Sequence, residues 1–297
     1  MRYLFVLLAV CAISCEVVVD VDIPIKPASI TVHSTINPDS TFQVQLTASQ
    51  NILSNNEFSL IPDATVNIYE GEILVETLVQ NSEDGYKGTL KPLKGHTYTI
   101  EASKDNYKTV QATDTIPSSN ITIHSVSFSK NLKEYYNQEV YTMAIEFDDP
   151  NDKNYYEIGL YGPQFTFDRS VSPPVITDTL LVQYYLRSED PIFADTYRNS
   201  SGFWAFSDAL VDGKRVKINF SIQLYQLVSV DEIEVTVVLR EISRNLYTYK
   251  QTAGLQQSLN GDPFAEPVPV YNNVKNGYGI FGAYQQTTST VTVRKEE

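Results

Sequence analysis

The sequence predicts a mostly β protein: two antiparallel β-sandwich domains, the second carrying one substantial helix near residues 243–259. Three observations lead there. Twenty tyrosines and 13 phenylalanines stand against two methionines and one tryptophan, a palette suited to pleated, half-buried surfaces. Short runs alternate apolar and polar residues with period two, and Asn, Asp, Gly and Pro separate them at the spacing of sandwich strands. One segment alone is spaced for a helix.

The chain opens on MRYLFVLLAVCAISC. Arg2 supplies a positive start, residues 3–13 are almost unbroken apolar, and Ala12-Ile13-Ser14 places small residues before Cys15. That order reads as a secretory signal peptide over residues 1–14, with an apolar run too short to span a bilayer. The triplet ending at Cys15 resembles a bacterial lipobox, which implies a diacylated Cys15 as the new N-terminus. Each methylene of such an anchor buried in lipid adds roughly 0.8 kcal/mol. Cleavage removes Arg2 and leaves 21 basic against 36 acidic side chains, a net charge of −15. Phosphate binding needs a cationic stripe, so this balance argues against nucleic acid. It argues equally against a peripheral basic membrane surface. With Cys11 removed and Cys15 alkylated, neither a disulfide nor a thiolate site is left. Stability must come from buried apolar surface.

Residues 15–27 form the acylated tether, in which Val17, Val19, Val21 and Ile23 alternate like an edge strand before Pro24 and Pro27 end regular pairing. Glu16, Asp20 and Asp22 are acids of the kind that mark some lipoproteins for the cell surface. Residues 28–116 read as one immunoglobulin- or transthyretin-like β-sandwich. Its strands begin at residues 29–34 and 42–46, joined by the turn Asn37-Pro38-Asp39-Ser40, and continue to Thr115. Residues 63–115, with DATVNIYEGE followed by DGYKGTLKPLKGHTYTIEASKDNY, resemble carboxypeptidase-regulatory and transthyretin-like domains, which are mostly spacers. Ile116-Pro117-Ser118-Ser119 is a short linker. Residues 119–297 then form the second sandwich, its strands including 121–128, 141–147, 155–161, 180–186, 216–224, 232–239 and 287–293. Between the last two, Leu246, Tyr249 or Lys250, Ala253 and Gln257 recur at helical spacing, and Asn260-Gly261 supplies a stop.

Chemistry-bearing motifs are few. His33, His96 and His124 lie apart with no metal-ligand spacing. Asp148, Asp149, Asn151 and Asp152 form the densest oxygen cluster, able to offer several of calcium's six to eight ligands. An acidic β-turn explains the same residues, and the EF-hand spacing of Gly and Glu is absent. No serine lies in GxSxG and no glycine-rich phosphate loop occurs. In residues 276–282 the glycines alternate with aromatics, reading as a strand that a neighbouring backbone approaches closely. Adjacent acids such as Glu189-Asp190 and Asp231-Glu232 point to opposite faces of a strand, the wrong geometry for a glycosidase pair. No catalytic residue is identified.

The most specific stretch is NGDPFAEPVPVYNNVKNGYGIFG, residues 260–282. Together with the VDVDIP stretch after Cys15, the Phe147-Asp148-Asp149-Pro150 turn leading to Asn154-Tyr155-Tyr156, Phe206-Ser207-Asp208, Asp212-Gly213-Lys214 and Tyr247-x-Tyr249, it resembles the Bacteroidota outer-membrane lipoproteins catalogued as domain of unknown function 4249. The resemblance implies an outer-membrane lipoprotein, often encoded beside TonB-dependent transporters, and supplies no reaction. Exposed aromatics would then form the contact surface. Tyr185, Tyr197, Phe203 and Trp204, beside the Ser200-Ser201-Gly202 connector, are the candidates, although Trp204 is equally at home in a core. The leading expectation is a non-enzymatic binding or accessory lipoprotein partnering a TonB-dependent receptor in nutrient capture. The alternatives are a surface structural or adhesive protein and, less favoured, a hydrolase.

Overall fold

The computed structural model describes residues 27–51, 57–81, 85–135, 138–194, 202–259, 265–266 and 268–295. Residues 1–26, on which the expected signal peptide, lipidated Cys15 and tether fall, lie outside these residues, as do Tyr197, Asn260-Gly261 and Phe264. The fold is mostly β and of sandwich type, with one α-helix among the described residues.

Nine strands make the longest sheet. Its order is β12 (Val175–Tyr184), β11 (Tyr155–Asp168), β16 (Glu232–Ile242), β17 (Tyr278–Arg294), β1 (Ile30–Ile36), β2 (Gln43–Ala48), β6 (Gly85–Lys87) and β5 (Val79–Asn81), with β14 (Trp204–Ser207) beside β11. A second sheet runs β4 (Ile73–Thr77), β3 (Thr65–Glu70), β7 (Thr97–Ser103) and β8 (Val110–Thr115). A third runs β13 (Leu186–Arg187), β15 (Arg215–Ile222), β10 (Gln138–Asp148) and β9 (Ile123–Tyr135).

Each four-stranded sheet closes one core against part of the long sheet. Val32, Leu46 and Phe42 meet Val66, Ile68 and Ile100 in the first core. Tyr156, Ile158 and Val237 meet Tyr141, Phe147, Ile218 and Phe220 in the second. Strand periodicity explains the division: β15 alternates exposed and buried residues through all eight positions, so one face is core and the other solvent. Burying each of these large side chains contributes roughly 1.5–3 kcal/mol.

Strand β17 belongs to both cores. Tyr278 to Ala283 pair in parallel with β1, and Tyr284 to Arg294 pair antiparallel with β16. Val274, Phe281 and Ala283 lie in the first core, whose other residues stand some 160 to 250 positions earlier in the chain. The linker at residues 117–118 therefore does not separate the residues of the two cores. Gly279 permits the parallel approach: its φ is +104°, and a Cβ there would lie 2.0 Å from the Val32 carbonyl oxygen. The glycine-dense stretch is a close-approach strand, as its composition predicts.

Helix α1 (Arg244–Ser258) covers the outer face of the long sheet. Ser243 caps it, its Oγ accepting from the Leu246 N–H at 3.1 Å. Leu246 packs with Tyr155, Ile242 and Ile280 in a third apolar cluster rimmed by Tyr247, Tyr249, Tyr271 and Tyr284. Of the positions spaced for packing, Leu246 is buried, Tyr249, Lys250 and Ala253 are half-buried, and Gln257 is exposed. The apolar face ends a turn earlier than the spacing predicts. Tyr271, from the proline-rich stretch, fastens this side: its N–H donates to Thr252 Oγ1 at 2.8 Å and its hydroxyl to Asn245 Oδ1 at 2.7 Å.

Candidate functional site

Three places in the molecule concentrate polar or exposed apolar groups. The first is the acidic turn after β10. Asp148 and Asp149 are adjacent at its end and turn opposite ways. Asp148 accepts from Arg215 Nε at 2.8 Å and contacts His124 Nε2 at 2.5 Å. Hydrogen bonding to Arg215, then to His124, holds its carboxyl down to about 2. Asp149 is buried and accepts from the Tyr156 hydroxyl at 2.6 Å and the Gly213 N–H at 2.8 Å. Asp208, also buried, accepts from the Asn154 N–H at 2.5 Å. Burial pushes both Asp149 and Asp208 upward, and Asp212 adds repulsion to each.

Carboxylate oxygens of Asp149, Asp208 and Asp212 lie within 4.8 Å of one another. The oxygen cluster that the sequence suggests is thus regrouped. Asp149 joins Asp208 and Asp212, whereas Asp148 is committed to Arg215 and Asp152 stays exposed. Asn151 lies against Gly213, its Oδ1 2.1 Å from where a Cβ of that residue would stand. The sequence held a sign of this in Asp208 and Asp212, four residues apart around a turn. Strand pairing over some sixty residues was needed to bring them to Asp149. Their oxygens serve as acceptors for Tyr156, Gly213 and Asn154, which ties β10, β11 and the 208–213 turn together. A cation seated here would compete with those donors.

The second place is the seam between the cores. Glu241, 4 % exposed, accepts from Asn154 Nδ2 at 2.7 Å, from Gln285 Nε2 at 2.6 Å and from the Ser119 hydroxyl. Asp114, 6 % exposed, accepts from the Ser243 hydroxyl and from Asn245 Nδ2 at 3.1 Å. Burial pushes Asp114 up to about 6. Glu157, fully buried, meets Lys250 and, at 3.7 Å, Arg240. The Arg240 guanidinium lies 4.3 Å from the ring centre of Phe203 and 4.6 Å from that of Tyr284. A desolvated carboxylate needs such partners. These groups hold the sheet, α1 and β8 in register.

The third place is the aromatic segment expected to bind a ligand. Phe203 is 4 % exposed and packs over Gly159, where a Cβ would stand 2.6 Å from its ring. Trp204 is half-buried, 4.9 Å from Phe193, with its Nε1 donating to the Leu186 carbonyl at 2.9 Å. Both rings are therefore packing elements, Phe203 against Gly159 and Arg240 and Trp204 against Phe193. Tyr185 is 55 % exposed beneath the Arg187 guanidinium at 5.4 Å. Tyr197 falls outside the described residues. These residues form no continuous aromatic platform.

An exposed apolar feature lies next to them. The hairpin of β11 and β12 runs past the end of β16: Tyr161 is its last residue paired to β16, whereas pairing with β12 continues to Asp168. Val175 to Leu181 are all exposed. Val175 is 54 %, Leu180 56 % and Leu181 75 % exposed, and Val171 at the tip 45 %. Leu180 and Leu181 point to opposite faces, so the strand is uncovered on both. It also ends the sheet, so among the described residues its outer edge carries no partner strand. Sequence reasoning read residues 180–186 as an ordinary strand. The missed signal was a pair of adjacent leucines in a stretch, residues 170–186, whose only charged side chain is Asp178.

No curated protein matches this chain. Among solved structures it is similar to a chain described as the complete structure of manganese lipoxygenase of Gaeumannomyces graminis and partial structure of zonadhesin of Komagataella pastoris. The identity is 13 % over 91 % of this chain and 97 % of that one, with a TM-score of 0.19, a likeness that carries no argument. The model of the family described as domain of unknown function (DUF4249) matches residues 16–290, and the chain belongs to that family.

Proposed function

We propose that this protein is a non-enzymatic binding or accessory lipoprotein, held at the outer membrane through Cys15 and working at the cell surface beside a TonB-dependent transporter in nutrient capture. The observation that supports it is the exposed apolar hairpin of β11 and β12. Leu180 and Leu181 are more than half exposed on opposite faces, so from Val175 to Leu181 the strand covers no core. Exposed apolar patches of this kind mark surfaces that meet another macromolecule. The buried acids Asp114, Glu157 and Glu241 are, by contrast, occupied by partners from their own chain.

Purification of the acylated, tagged protein from native outer membranes in mild detergent, followed by mass spectrometry, tests this reading. A stoichiometric TonB-dependent barrel is the expected companion. Elution alone at monomer size would overturn the accessory role and favour a free-standing structural or adhesive surface protein.

A further inference from the structure

We infer that the outer edge of β12 is a docking strand, to which an extended, sparsely charged segment of the partner protein adds as a further strand of the long sheet. The inference rests on the accessory reading above and specifies how the contact is made. The backbone supplies the first argument. Phe165 pairs with Thr179, and the Phe165 N–H turns away from β12 to Gln226 Oε1 at 3.4 Å. The Thr179 N–H likewise turns outward, to the Asp178 carboxylate at 2.8 Å. Antiparallel pairs alternate in this respect, so the N–H and C=O of Leu181 also face the open edge. These are the groups that strand addition uses.

Protected edge strands are short, charged, proline-bearing or strongly twisted. β12 is ten residues long with Asp178 as its one charge, and that carboxylate covers one outward donor. From Arg169 to Arg187 the local net charge is +1, in a chain whose total is −14. Among the described residues the edge is therefore open, nearly neutral and apolar.

Other occupants fit less well. Hydrocarbon does not accept an open sheet edge, whose N–H and C=O groups would go unsatisfied. The chain's own tether is too short. Through the register of β11 on β16 and of β16 on β17, Tyr161 lies level with Thr290, whereas Thr31 at the start of β1 lies level with Tyr278. Leu181 and Thr179 pair with Pro163 and Phe165, so at about 3.3 Å per residue along the sheet their outward groups stand about 45 to 55 Å from the entry to β1. Residues 15–26 span at most about 40 Å when fully extended. A second copy would bring two chains of −14 together.

The test uses the full-length protein in its native membranes, with a photo-crosslinking residue at Leu180. An adduct to one other protein is expected, mapping by mass spectrometry to a single extended segment. Leu181→Pro removes one outward N–H and leaves the pairing with β11 intact, as proline permits on an edge. Combined with Thr179→Pro, it should lower adduct yield about tenfold while the thermal midpoint of the protein is kept. Leu210→Ser, which removes an apolar side chain 62 % exposed elsewhere, should leave the yield unchanged. An adduct at twice the chain's own mass, an adduct to lipid, or a yield undiminished by the prolines would each overturn the strand assignment. If a transporter co-purifies but position 180 gives no adduct, the accessory reading survives and the docking strand falls. A protein that elutes alone with no adduct removes both.

Discussion

Asp114 shows how much one side chain can decide. It sits in β8, in the first core's second sheet, yet its hydrogen bonds go to Ser243 and Asn245 at the start of α1. Burial raises it from the ordinary 3.8 to about 6. Between those values the native state holds a proton that the unfolded chain has released. The resulting stabilisation is complete below about pH 4 and is lost as pH rises through about 6. A shift of this size corresponds to about 3 kcal/mol. Asp114→Asn keeps an acceptor for Asn245 and cannot ionise. Denaturant titrations at pH 4, 5, 6 and 7 should therefore show the gap between wild type and variant moving by about that amount in the variant's favour. Parallel curves would mean that Asp114 does not titrate in this range.

At the scale of the element, β17 depends on Gly279. An alanine there would need a positive φ and would drive its Cβ to 2.0 Å from the Val32 carbonyl oxygen, so β1 and β17 would have to separate. Gly279→Ala should cost at least about 3 kcal/mol, whereas Gly71→Ala, positive in φ but open around the Cβ, should cost about 1 kcal/mol. Chemical denaturation of the two variants compares them, and equal costs would refute the close-approach reading. This is also where the sequence was most legible. Alternation in β1, β15 and the first half of β16, the helical spacing of α1 and the glycines of β17 are local signals, and each has a local physical cause. The parallel pairing of β1 with β17, the gathering of Asp208 and Asp212 around Asp149, and the run of β11 and β12 beyond the core depend on contacts far apart in the chain. No period or spacing encodes them. The aromatic segment misled for a related reason. Exposure was inferred from the small residues Ser200-Ser201-Gly202 alongside, whereas Phe203 is buried by Arg240 and Gly159, whose positions only the sheet sets.

The molecule as a whole has two main cores that share one continuous nine-stranded sheet. A chain with two cores could unfold in two steps if each core were self-sufficient. Here the first core takes Val274, Phe281 and Ala283 from the C-terminal end, and β1 takes its parallel neighbour from the same strand that pairs with β16. Removing that strand from either side leaves the other with an open edge and missing apolar contacts. The seam adds Ser119 and Gln285 on Glu241, and Ser243 on Asp114. Unfolding one core therefore costs the other its partners, and the protein should melt in one transition. Trp204, the only tryptophan, packs on the second core alone, so its fluorescence reports that half, whereas far-ultraviolet circular dichroism reports all strands. In a urea titration the two signals should coincide. A dichroism change that persists after Trp204 has finished its transition would show the first core standing alone. The same logic expects residues 27–118, expressed by themselves, to lack the dispersed amide spectrum of a folded sandwich, because the strand that completes their sheet lies more than 150 residues further along the chain.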